Sequence, residues 1–237
     1  MTLYIHDTIR TMQSLSTAAA KGRDRVVAGF VRFDRAEALA GKFETRYGTN
    51  ARPSAARAQR RAGLAGSSLF MLARPEQLCF DWWLLVGSGV GPVTEQEQLQ
   101  EARSREGRLR LGQFELVRLP ARNGARATQW TWRMPLKEFQ ELLAHAAAIA
   151  THSSCRQAQQ LIAHMATWPG WRGIAEQRRE VWAAMRDART RAGRTEGLEF
   201  PEFTPWPTRL KLVGKGVPLA LAVARMRAKT GVSAEQG

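Results

Sequence analysis

The hydrophobic period changes at Met134-Pro135, and this limits the possible folds more than any other feature. Before it, short runs alternate as strands do: SLFMLAR (68–74), FDWWLLV (80–86), RLRLGQFELVRL (108–119) and TQWTWRM (128–134). After it, apolar residues recur at helical spacing. Leu136, Phe139, Leu142, Leu143, Ala146 and Ile149 form one stripe, and Ala158, Leu161, Ile162 and Met165 a second. Trp171, Ile174, Val181, Trp182 and Met185 form a third. The expected class is therefore α+β: an antiparallel sheet with short helices in the N-terminal part, then a C-terminal helical bundle.

The expected layout has three parts: a mixed α+β basic domain over 1–134, a three-helix bundle over 135–194, and an extended Pro-rich arm with a short basic terminal helix over 195–237. In the first part, residues 5–20 read as a helix, and Val26–Phe33 as a strand or the start of a helix. Asp34 is placed to cap a helix ending near Tyr47-Gly48. Ser54 would cap a short helix over 55–62, ended by Gly63. The strand runs would form one sheet of four or five strands, with 94–103 a polar helix between them. Gly112-Gln113 marks either a tight hairpin or a bulged strand. Pro135 opens the first bundle helix, Ser153 or Ser154 the second, and the third spans about 171–192. Leu210–Val213 reads as a short strand in the arm.

Charge says most about function. The 237 residues carry 36 basic against 21 acidic groups, a formal net charge of +15, and only six of the bases are Lys. A GC-rich genome exchanges Lys for Arg, yet it does not create an excess of cations over anions. Such an excess calls for an anionic partner. Guanidinium groups fork onto phosphate and stack on bases. Segment 45–66 has no acid and holds Arg46, Arg52, Arg57, Arg60 and Arg61, of which the last three fall at i, i+3, i+4 on one helical face. A second concentration lies in the third bundle helix: Arg172, Arg178, Arg179, Arg186 and Arg189, followed by Arg191 and Arg194. There Glu176, Glu180 and Asp187 offer a competing reading as a salt-bridged solvated face. Trp130 and Trp132, two apart on a strand, suit base stacking or, alternatively, core packing.

Catalytic and metal chemistry find little support. Cys79 and Cys155 form no zinc half-site, and His6, His145, His152 and His164 make no metal-binding pair on a helix. Gly87–Pro92 follows a strand but lacks the Lys-Ser/Thr ending of a phosphate loop, so it reads as a plain loop. No catalytic residue, metal or cofactor is expected. The N-terminus lacks the order of a secretory signal, Asp7 and Asp24 argue against a mitochondrial one, and no apolar run spans a bilayer; the expected compartment is the cytoplasm.

The stretches RYGTNARPSAARAQRRAGLA, DWWLLV, FELVRLP and QWTWRMP, across about residues 45–135, resemble small basic proteins of proteobacterial plasmids and integrative elements. The layout is similar to the large subunit of multi-subunit CRISPR effectors, with the plasmid-borne type IV systems nearest in size. That resemblance implies a subunit touching the guide's 5′ end and the duplex motif beside the target. The cysteine-rich zinc finger expected in many type IV large subunits is not present here. Together, charge and resemblance lead to the expectation of a non-catalytic nucleic-acid-binding subunit, with RNA or DNA and other protein subunits as partners and no membrane. Three alternatives remain at this point: a DNA-binding replication, partition or regulatory protein of a mobile element, with Arg57–Arg61 on a recognition helix; a metal-independent RNA-processing ribonuclease; and a basic structural protein with acidic protein partners.

Overall fold

The computed structural model describes residues 3–49, 51, 53–120, 128–194, 198–199, 216–229 and 231. The fold is α+β with antiparallel sheets, as the change of period requires. It divides into two compact units: Met1–Leu109 with Leu212–Gly237, and Arg110–Lys211.

The first unit begins with β1 (Tyr4–Ile5) and α1 (Thr8–Ala20). Asp7 caps α1 by accepting from the Arg10 backbone N–H at 2.8 Å. β2 (Arg25–Arg32) settles the ambiguous 26–33 stretch as a strand. A 3-10 turn, Phe33–Arg35, leads into α2 (Ala36–Tyr47). Asp34 lies in that turn and pairs with Arg32 at 3.5 Å, so it is not the cap expected of it. Gly48 ends α2 at φ +62°, a left-handed position that suits glycine. α3 (Pro53–Arg61) is followed by β3 (Ser67–Arg74), β4 (Cys79–Val86), α4 (Pro92–Gln96) and β5 (Gln100–Glu101). The polar helix expected over 94–103 stops early. The chain turns to become an edge strand there, with Ala102 N–H donating to the Asp24 carbonyl at 2.7 Å.

The sheet order is β3-β4-β2-β5. One face, with Leu69, Met71, Phe80, Leu84 and Val86, packs in one cluster with Ala36, Ala40 and Phe43 of α2. Alternate residues Leu72, Trp83 and Leu85 are also buried, and α1 lies across β3 and β4 with Met12, Leu15, Ala18 and Ala19 buried. β3 and β4 are thus covered on both sides and read as nearly continuous apolar runs, whereas β2 leaves Phe30 78% exposed.

The second unit holds β6 (Arg110–Leu111), β7 (Phe114–Pro120), β8 (Thr128–Arg133), α5 (Leu136–His152), α6 (Cys155–Ala166) and α7 (Arg172–Arg191). Gly112, at φ +58°, makes the β6–β7 connection a tight hairpin. Ser154 starts α6 through a reciprocal capping box with Gln157. Of the expected α5 stripe, Phe139 and Ala146 are buried, whereas Leu136 is 62% exposed.

The strand runs therefore make two sheets where one was expected, and the division falls between Leu109 and Arg110 where the sequence suggested 134/135. The reason is the join between β8 and α7. The Gln177 side-chain amide donates to the Met134 carbonyl at 2.9 Å and accepts from its N–H at 2.7 Å. Gly173 N–H donates to Thr131 Oγ1 at 3.0 Å, and a Cβ on Gly173 would sit 2.6 Å from the Trp132 carbonyl oxygen. The hairpin thus belongs with the helices that follow it.

The chain then returns to the first unit with β9 (Val217–Pro218) and α8 (Leu219–Lys229). β9 pairs antiparallel with β1, and Leu219, Ala222, Val223 and Met226 of α8 complete the cluster under the sheet. Most of the expected Pro-rich arm, with the strand at 210–213, lies outside the described residues. Among the described residues, no helix is long and apolar enough to cross a membrane, and no group of three or more His, Cys, Asp or Glu is placed to hold a metal ion.

Candidate nucleic-acid interface

α3 carries no large apolar side chain, and it is anchored at its C-terminal end. At its C-terminus, Gly63 takes φ +73°, its N–H donates to the Arg60 carbonyl at 3.1 Å, and Leu64 N–H donates to the Gln59 carbonyl at 2.9 Å. This is the paired closure of a Schellman motif, which satisfies the last carbonyls of the helix. The loop after β4 then fastens that end. Ala65 N–H donates to the Val90 carbonyl at 2.9 Å, Val90 N–H to the Gly63 carbonyl at 3.2 Å, and Gly87 N–H to the Gly66 carbonyl at 2.9 Å. Gly89 lies at φ +120°, and a Cβ there would stand 2.6 Å from the Gly63 carbonyl oxygen. Only glycine permits this approach. Read in the sequence as a plain loop, 87–92 is a brace for the arginine helix.

Arg57, Arg60 and Arg61 are exposed on α3, as the i, i+3, i+4 spacing requires. Arg60 is steadied by Nε donating to the Ala56 carbonyl at 3.3 Å. Arg46 is exposed on the last turn of α2, beside Tyr47. The Tyr47 hydroxyl donates to Glu97 Oε1 at 2.6 Å, and burial, then Glu97, pushes that phenol up from its ordinary range. Arg52 lies outside the described residues.

The fold adds arginines that the sequence reading passed over. Arg23 runs past Gly66 and Gly87, and burial, followed by the nearby Arg60, lowers its proton affinity. Arg25 follows on β2, its Nη2 donating to the carbonyls of Gly87 and Gly89, the latter at 3.3 Å. Arg103 pairs with Asp24. The compact KGRDR tract at 21–25 was the available signal, two arginines around one acid just before a β-prone run.

The third bundle helix contributes less than its composition promised. Arg178 and Arg189 are buried, at 1% and 3% exposure, so they face the core and cannot hold a phosphate. Arg178 Nη1 donates to the Trp168 carbonyl at 3.1 Å, and burial, then Arg179, lowers its proton affinity. Arg172 is taken up by Glu176 at 2.7 Å and by the Pro120 carbonyl at 2.6 Å. Arg186 is exposed but lies over Trp182 at 5.1 Å and beside Asp187 at 3.3 Å. Arg179 is also exposed. Five expected phosphate ligands thus reduce to two.

The tryptophan pair divides as well. Trp132 is fully buried and belongs to the core, so it cannot stack on a base. Trp130 is half-buried, with the guanidinium of its cross-strand neighbour Arg118 over the ring at 5.7 Å. Compared with protein families, with curated proteins and with solved structures, the chain matches none of them.

Proposed function

We propose that this chain is a non-catalytic nucleic-acid-binding subunit of a nucleoprotein complex, with the ridge formed by α3 and Arg23 as its phosphate contact. One observation carries the reading. Arg57, Arg60 and Arg61 stand exposed on a helix with no acid of its own, and Arg23 is held near enough to Arg60 to feel its charge. Like charges gathered on a braced element cost stability, and a polyanion relieves that cost. Arg46 extends the cationic surface; Arg179 and Arg186 form a minor track on the other unit.

The test is binding of a labelled oligonucleotide at several salt concentrations, with wild type and the triple variant R57A/R60A/R61A. Each lost phosphate contact flattens the log–log salt slope by about 0.9 on duplex DNA or about 0.7 on a single strand. The triple variant is expected to flatten it by roughly two units or more, with circular dichroism and melting temperature unchanged. Wild-type protein that binds no nucleic acid in a salt-dependent way contradicts the proposal. Nucleic acid recovered from low-salt purification separates the versions of this function. A defined small RNA supports a CRISPR-type effector subunit, and one repeated duplex sequence supports a regulator or partition factor.

A further inference from the structure

Beside the ridge, in the same unit, lies a cavity of about 340 Å³ lined by Asp24, Arg25, Ser88, Gly89, Glu101 and Arg103. Its size is at the small end of ligand pockets, which run from roughly 300 to 1,000 Å³. Its charge differs from that of the ridge: two carboxylates balance two guanidiniums. The Gly87 loop joins the two, since Arg23 crosses it from the side of Arg60 and Arg25 clamps its carbonyls on the cavity side.

The cavity is an open cleft, with Ser88, Gly89, Glu101 and Arg103 exposed and Asp24 and Arg25 half-buried, and its backbone frame is tied down. Arg103 donates to Asp24 through Nε at 3.0 Å and Nη2 at 2.7 Å, and both bonds end on Oδ2. Asp24 Oδ1 and the Glu101 carboxylate have no partner among the described residues. The Asp24 backbone is tied to β5 through the Ala102 N–H, and Arg25 is in register with Glu101. Gly89 cannot move without releasing α3, given its packing on Gly63. What the cavity offers a ligand is therefore two carboxylate acceptor sites, the Ser88 hydroxyl and the remaining N–H groups of Arg103.

A phosphate is a poor occupant, because two carboxylates would face it. A neutral, planar group with both donors and acceptors fits better, and a nucleobase is one. Carboxylates require N–H donors. Guanine carries a ring N–H and an amino group side by side on its Watson–Crick edge, with the O6 acceptor next to them. We infer that this cavity receives an unpaired guanine of the strand whose phosphates lie on the α3 ridge. The inference rests on the proposed function and deepens it: the ligand is single-stranded where it meets this unit, and it is read at one base.

The test is fluorescence anisotropy of the full chain with labelled 12-nucleotide RNAs. One is all uridine, and three carry a single central guanosine, adenosine or cytidine. The guanosine RNA is expected to bind at least fivefold more tightly than the other three. E101Q, and D24N separately, are expected to bring that ratio below twofold. Salt titrations on the same samples report the ridge independently. Salt-sensitive binding with equal affinity for all four RNAs, or with another base preferred, overturns the base site and leaves the ridge standing. A guanosine preference that survives the D24N/E101Q double variant also overturns it. Salt-insensitive or absent binding of all four overturns ridge and base site together.

Discussion

Arg178 and Arg57 present the same guanidinium in opposite settings. The Arg57 side chain is exposed on α3, so Arg57→Ala should leave the melting temperature nearly unchanged. Arg178 is enclosed at the base of α7 and bonds the Trp168 carbonyl. Arg178→Ala leaves a cavity and an unanswered carbonyl, and should cost about 3 kcal/mol in urea unfolding while leaving the salt slope of nucleic-acid binding alone. A variant that lost binding without losing stability would contradict its placement in the core. His6 supplies a pH dependence. Burial, then Arg10, lowers its proton affinity below the ordinary value of 6.5. The unfolded chain therefore binds this proton more readily than the folded one. Stability should fall as pH drops below 6.5 and level off once the folded-state histidine also titrates. His6→Gln should remove that component from a stability-against-pH profile; an unaltered profile would show that His6 does not supply it.

Among the elements, the loop after β4 and the start of α7 are decided by glycine. Gly89→Ala introduces a strained φ and a contact with the Gly63 backbone, so it should cost roughly 2–3 kcal/mol. It should also raise hydrogen exchange at the Ala65 amide, which bonds the Val90 carbonyl. Ordinary protection at that amide would show that the brace tolerates the change. These positions also show what was legible beforehand. Helix ends were readable where a local chemical signal marks them: Gly48 after α2, Gly63 after α3, Ser154 before α6. The exposed face of α3 was readable too, because spacing alone puts three arginines together. The burial of Arg178 and Arg189 was hidden, since α7 alternates charge and apolar residues in a way equally suited to a solvated face. The brace role of Gly87–Pro92 and the grouping of Arg23, Arg25 and Arg103 were hidden for another reason. They depend on contacts between residues far apart in the chain, which no local pattern reports.

At the scale of the whole molecule, the first unit draws on two distant stretches of chain, and the second lies between them in sequence. Removing residues 216–237 takes away β9 and the buried face of α8, so the first unit should lose its cooperative thermal transition. Calorimetry should still record a transition from the second unit, whose β8–α7 join needs nothing from that segment. Loss of both transitions would show that the units do not fold independently. The β1–β9 pairing also has a consequence in time. During synthesis, residues 110–191 leave the ribosome ahead of Val217 and Pro218, so the second unit can begin to mature first. Its neighbour has to wait with its sheet half clothed, and a chaperone that shelters nascent apolar surface would find its longest opportunity there.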